Sequence, residues 1–98
     1  MEYQQALQMV YDTIDIVNQQ LPAARRLAKS PDTVIVGTGG ALDSLGIINF
    51  VVALEDKVGE AIGTPIQLLD LEMLTERSPF HTVGALTRYI TTRPDLIA

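Results

Sequence analysis

Tyr3, Leu7, Val10, Ile14, Val17 and Leu21 follow one another at alternating steps of four and three residues. An α-helix turns once every 3.6 residues or so, and that spacing lines all six side chains on one face. A β-strand, whose side chains alternate, would scatter them over both faces. The other side of the segment carries Gln4, Gln5, Asp12, Asp15 and Gln19. Such a helix is stable only if its stripe is buried against elements that present stripes of their own. The chain offers two. From Ser44 to about Ala61, the residues Ile47, Phe50, Val51, Leu54, Val58 and Ile62 form a core stripe, and Gly63-Thr64-Pro65 stops the helix with glycine ahead of proline. From about Thr82 to Thr91, Thr82 is a fair cap and Val83, Leu86 and Ile90 give the buried side.

The connections carry weaker signals. Pro22 ends the first helix, and Ala23 to Lys29 suits a brief helix with proline at its first position. Ser30-Pro31-Asp32 is a turn signal. Thr33 to Val36 has local strand character with no second run to pair with, and reads as a buried extended loop. Gly37, Gly39 and Gly40 follow. Ile66 to Ser78 is irregular and offers Leu68, Leu69, Leu71, Met73 and Leu74 for packing, with a short helix expected inside it. The expected fold is all-α: a small four-helix bundle of three longer helices and one short, with a long loop between the first and second helices. A connection of that length suggests that the loop has its own job. One domain is expected over residues 1–98, with its core at about 2–91 and a short tail at 92–98.

Composition narrows the function classes. At 47% hydrophobic the chain can bury a real core, and a net charge of −5 argues against a nucleic-acid ligand and suits a basic protein partner. The longest apolar run, Leu45 to Leu54, is interrupted by Gly46 and Asn49 and falls short of a membrane span. An acidic, polar start and the lack of cysteine give the expectation of a cytoplasmic monomer with no export leader and no membrane insertion. Any thiol chemistry must then come from an added group.

The chemistry-bearing candidate is Asp43-Ser44-Leu45, where the glycine-bearing loop gives way to the second helix. Helix starts carry free N–H donors and a partial positive charge, which favour a phosphoester there. A helix cap needs the same residue types, so capping alone also explains the pair. Rival motifs fit poorly. Val34 to Ala41 resembles the opening of a dinucleotide-binding unit, but Leu42 stands where the third glycine belongs and no further strand follows. A phosphate loop lacks its lysine. Ser44-Leu45-Gly46 is half of a nucleophile elbow, and the single histidine, His81, reads as an exposed loop residue rather than a catalytic base. The basic spot Arg25-Arg26-Lys29 reads as a solvated turn.

Gly40 to Asp56, with Asp43-Ser44-Leu45 at its head and Leu54-Glu55-Asp56 at its end, resembles the modification site and second helix of acyl carrier proteins. Phe80 to Ile90, with Thr82-Val83-Gly84 and Tyr89-Ile90, resembles the closing helix of that family. The resemblance implies that Ser44 is the serine esterified with 4′-phosphopantetheine by a phosphopantetheinyl transferase using coenzyme A. It implies that Asp43 is the acidic neighbour that meets the transferase and that Leu45 docks into partner enzymes. Those partners would be acyl-loading, condensing or acyl-transfer enzymes, and the chain itself a non-catalytic carrier of thioester-linked acyl groups.

The sequence also departs from the carriers of primary fatty-acid synthesis, whose second helix is rich in acids. Here its first half is apolar, and Glu55, Asp56 and Glu60 come late, interrupted by Lys57. At about 100° per residue, Leu45, Ile48 and Val52 lie well away from Phe50 and form a candidate apolar docking patch beside Glu55 and Asp56. The other reading is that the long loop, or Leu69 and Leu71, covers that patch. The expectation is a stand-alone carrier for a dedicated, fatty-acid- or polyketide-like pathway. The alternatives are an aminoacyl or peptidyl carrier, and a helical interaction module that is never modified. Phe50, Leu54, Ile62, Phe80 and Leu86 are candidates to line a cargo cavity, and equally for an ordinary packed core.

Overall fold

A computed structural model of the chain describes residues 2–35, 42, 44–64, 66 and 81–92, with the backbone alone at Arg25 and Ser44. Among the described residues there are three α-helices and no strand: α1 (Tyr3–Asn18), α2 (Ser44–Ile62) and α3 (Val83–Thr92). The radius of gyration is 12.4 Å, against about 12.6 Å for a compact chain of this length. The short helix expected within residues 66–78, and the tail beyond Thr92, lie outside the described residues.

Helix α1 packs against both α2 and α3. The three stripes meet in one core, where Val10, Ile14, Phe50, Leu54, Leu86 and Ile90 are fully buried. Two threonines share that interior. The Thr13 hydroxyl donates to the Met9 carbonyl and the Thr87 hydroxyl to the Val83 carbonyl, each at 2.8 Å. Each is therefore satisfied one turn back on its own helix, and its burial costs little.

The helix ends follow from local chemistry. The α1 ladder tightens as the amides of Gln20 and Leu21 donate to the carbonyls of Val17 and Asn18 at 3.0 and 3.2 Å. Pro22 then has no amide to continue it. Helix α2 closes on Gly63, whose φ of 76° is in the left-handed region and whose amide donates to the Gly59 carbonyl at 2.9 Å. Glycine adopts that conformation without a Cβ penalty, which makes it the usual stop.

Between α1 and α2 the structure differs from the expected brief helix over Ala23 to Lys29. Only a single 3-10 turn forms, Ala23–Arg25, and Arg26 is extended. The reason is a competing set of bonds. The Asn18 carboxamide donates to the Leu27 carbonyl at 2.9 Å and accepts the Leu27 amide at 2.8 Å. This pairing takes both backbone groups a helix would have used and draws the Leu27 side chain into the core. Asn18→Ala leaves both Leu27 groups, part-buried, without a partner. It is expected to lower unfolding free energy by about 1–3 kcal/mol, measured by urea titration; an unchanged midpoint would show that the pairing is not formed. Nearby, Lys29 meets Asp15 at 3.2 Å with both side chains about half exposed, a pair of small value.

The segment after the Ser30-Pro31-Asp32 turn does have a partner. Val34 forms an isolated antiparallel bridge with Thr82, and the Ile35 amide donates to the His81 carbonyl at 2.8 Å. Ile35 is buried, as expected of an extended loop. The same loop caps α3. The Val83 amide donates to the Thr33 carbonyl at 2.9 Å, the Gly84 amide to the Pro31 carbonyl at 2.8 Å, and the Ala85 amide to the Thr82 hydroxyl at 3.1 Å. The first amides of a helix lack intrahelical acceptors, and these three are satisfied by the loop and the cap.

Gly84 permits a close approach at this contact. A Cβ there would sit 3.1 Å from the Pro31 carbonyl oxygen, which the Gly84 amide already holds in place. Gly84→Ala is expected to destabilise by about 1 kcal/mol net, the crowding outweighing the helix preference of alanine. Thermal melts of the two proteins check this, and a raised melting temperature would contradict it.

Candidate functional site

Ser44 is the first residue of α2, at the position where a helix presents its unpaired amides and positive dipole end. Asp43 lies outside the described residues. Leu42, half-buried against the core, and Leu45 flank Ser44 on either side in sequence.

The expected patch divides in two. Leu45 is 66% exposed and Val52 45% exposed, whereas Ile48 is half-buried. Seven residues make nearly two full turns, which leaves Leu45 and Val52 only about 20° apart, with Ile48 rotated some 60° from Leu45. Leu45 and Val52 line a shallow groove of about 480 Å³ between α2 and the C-terminal half of α1. Its other wall includes Ile16 of α1 and Gln20 and Leu21 from the turn that follows the helix, and its α2 wall also includes Asn49. Ile48 is not part of it.

Ile16 is 39% exposed. Together with Leu45 and Val52 it completes the large exposed hydrophobic side chains among the described residues, and all three converge on this one groove. Ile16 lies outside the patch expected from the sequence. Its signal was an apolar residue next to Val17 but off the Tyr3–Leu21 stripe, on a helix whose other off-stripe positions are mostly polar.

Asp56 sits at the far end of the groove and also borders a second depression of about 440 Å³ with Glu55, Glu60 and Thr64. The groove therefore runs from an apolar end at Leu42 and Leu45 to an acidic end. Lys57 lies against a smaller hollow beside Asp56 and Glu60 and tempers that charge.

The expected cavity residues Phe50, Leu54 and Leu86 are fully buried members of the packed core, with Ile62 half-buried against it; Phe80 lies outside the described residues. His81, expected to be an exposed loop residue, is half-buried, because its carbonyl pairs with Ile35 and draws it against the loop. Its Nδ1 is buried with no hydrogen-bond partner among the described residues. No group of three or more His, Cys, Asp or Glu side chains placed to hold a metal ion occurs among them, nor any helix long and apolar enough to cross a membrane.

Neither a scan against protein-family models nor searches of curated proteins and of solved structures finds a match to this chain.

Proposed function

We propose that this chain is a phosphopantetheine-dependent acyl carrier that serves a dedicated biosynthetic pathway. The observation that carries the reading is the placement of Ser44 at the first residue of α2, next in sequence to the exposed Leu45, which lines an apolar groove. The residues present suit the group. Ser44 supplies the hydroxyl to be esterified, and the helix start tolerates the phosphoester charge. Asp43 is assigned to meeting the transferase. Leu45, Val52, Glu55 and Asp56, with the half-buried Ile48, are assigned to docking partner enzymes that load, condense or transfer acyl groups. The fold in this reading is the four-helix bundle, with its short helix within residues 66–78.

In the loading step the Ser44 hydroxyl attacks the pantetheine-side phosphorus of coenzyme A. The bridging P–O bond breaks, adenosine bisphosphate leaves, and a base on the transferase takes the proton. The bound arm supplies a thiol for thioester formation, which a chain without cysteine lacks. Tethering then raises the effective concentration of cargo at a docked enzyme. The protein itself catalyses no step.

Incubation with coenzyme A and a broad-range phosphopantetheinyl transferase, followed by intact-mass measurement, tests the proposal. A gain of one phosphopantetheine is expected. No gain would leave a helical interaction module as the better reading.

A further inference from the structure

The groove between α1 and α2 is not explained by loading or by the core. Three features set it apart from an ordinary surface dent. First, it gathers the large apolar side chains that the described structure leaves exposed, Ile16, Leu45 and Val52, from two different helices. Burial of apolar surface is the main favourable term in binding, and exposed apolar residues that converge in one concavity mark an interaction site. Second, its volume of about 480 Å³ falls in the range of about 300–1,000 Å³ typical of small-molecule sites. Third, its walls are not uniformly apolar. Gln20 from the turn after α1 and Asn49 from α2 each bring an exposed carboxamide to it, a group that both donates and accepts hydrogen bonds.

That combination suits an extended chain in which methylene and methyl segments alternate with amides. Phosphopantetheine is such a chain, and its attachment residue in the proposed function, Ser44, lies in sequence between Leu42 and Leu45, which both line the groove. From Leu45 to Asp56 the groove follows twelve residues of α2, about 16 Å of helix, long enough to take most of an extended arm.

We propose that the α1–α2 groove is the resting seat of the Ser44-linked arm, which lies along the surface of α2 with its amides against Gln20 and Asn49 and its methyl groups against Ile16 and Val52. This rests on the carrier reading. It places the arm outside the helical core, where Phe50 and Leu86 are already fully packed, and it ends the arm near Asp56. Seating the arm covers the exposed apolar surface between deliveries, and a partner that docks on Leu45 and Val52 would displace the arm into its own active site. Docking and arm release are thereby coupled, because both use the same side chains.

The test uses the full chain, isotope-labelled and driven to complete loading with coenzyme A and a transferase, with completeness read from intact mass. Nuclear Overhauser contacts are then measured between the geminal methyl groups of the arm and the protein methyls. Contacts to Ile16 and Val52 are expected, and their loss in fully loaded Val52→Glu, which places a charge on the exposed wall. A fully loaded wild type that shows no such contacts, or contacts to Phe50 and Leu86 instead, overturns the seat while leaving the carrier reading intact. So does a loaded Val52→Glu that keeps them all. A groove reserved for a partner protein gives the first of these results. Absence of any mass gain removes the carrier reading and the seat together.

Discussion

Phe50→Ala is expected to lower the unfolding free energy by about 3–5 kcal/mol, the range for removing a buried phenylalanine and leaving its cavity. Phe50 is fully buried and belongs to the cluster in which α1 meets α2 and α3. A loss of that size matters in a small domain, where total stability is about 5–15 kcal/mol and each kcal/mol moves the melting temperature by about 4–8 °C. The melting temperature of the variant should therefore fall by about 12 °C or more. Val52, two residues on, provides the contrast. It is 45% exposed, and Val52→Ala should change stability by no more than about 0.5 kcal/mol. Urea titrations of the three proteins decide the matter. A Phe50→Ala loss under about 1 kcal/mol would mean that the core is not packed as described.

The contrast between Phe50 and Val52 was legible in the sequence because helical geometry is local. Once Ile47, Val51, Leu54 and Val58 define a face, about 100° per residue places Leu45 and Val52 elsewhere. The stripes of α1 and α3, the turn at Ser30-Pro31-Asp32, the stop at Gly63 and the cap at Thr82 are legible for the same reason. Each needs only neighbours within a turn or two.

What could not be read depends on partners remote in sequence. The bridge from Val34 to Thr82, and the capping of α3 by the carbonyls of Pro31 and Thr33, join segments that no periodicity links. No local spacing marks the Asn18 carboxamide as the partner of Leu27, nine residues on. Leu27 in turn is an isolated leucine in a basic stretch, with no stripe to mark it as buried.

The candidate site divides in the same way. Ser44 at the head of α2 follows from a glycine loop that meets an apolar helical pattern, and angle alone turns Leu45 and Val52 away from the core face, while the structure decides between the two readings by leaving them exposed. The half-burial of Ile48 does not, because at the border of a helix face the neighbouring element decides how much surface remains. The α1 wall of the groove was hidden for a related reason. Ile16 in α1 and Gln20 in the turn after it are far away in sequence, and only the packing of α1 on α2 brings them beside Leu45 and Asn49.

Ser44→Ala is expected to abolish loading completely while leaving the fold in place. The two readouts separate because they depend on different properties of one residue. Loading needs the hydroxyl oxygen as the nucleophile that becomes the phosphoester, and alanine has none, so the mass gain should fall to zero rather than decline. Stability needs only that α2 still starts where it does. A serine at a helix start contributes typically about 1 kcal/mol when it caps, and the higher helix preference of alanine offsets part of any loss. The melting temperature should therefore shift by no more than about 4–8 °C, and the helical circular dichroism should be unchanged. The two measurements together exclude two other accounts. If Ser44→Ala unfolds the chain, the serine is structural and its loss of loading says nothing of attachment. If the variant stays folded and still gains the mass of the arm, the modification lies elsewhere and Ser44 is only the start of a helix.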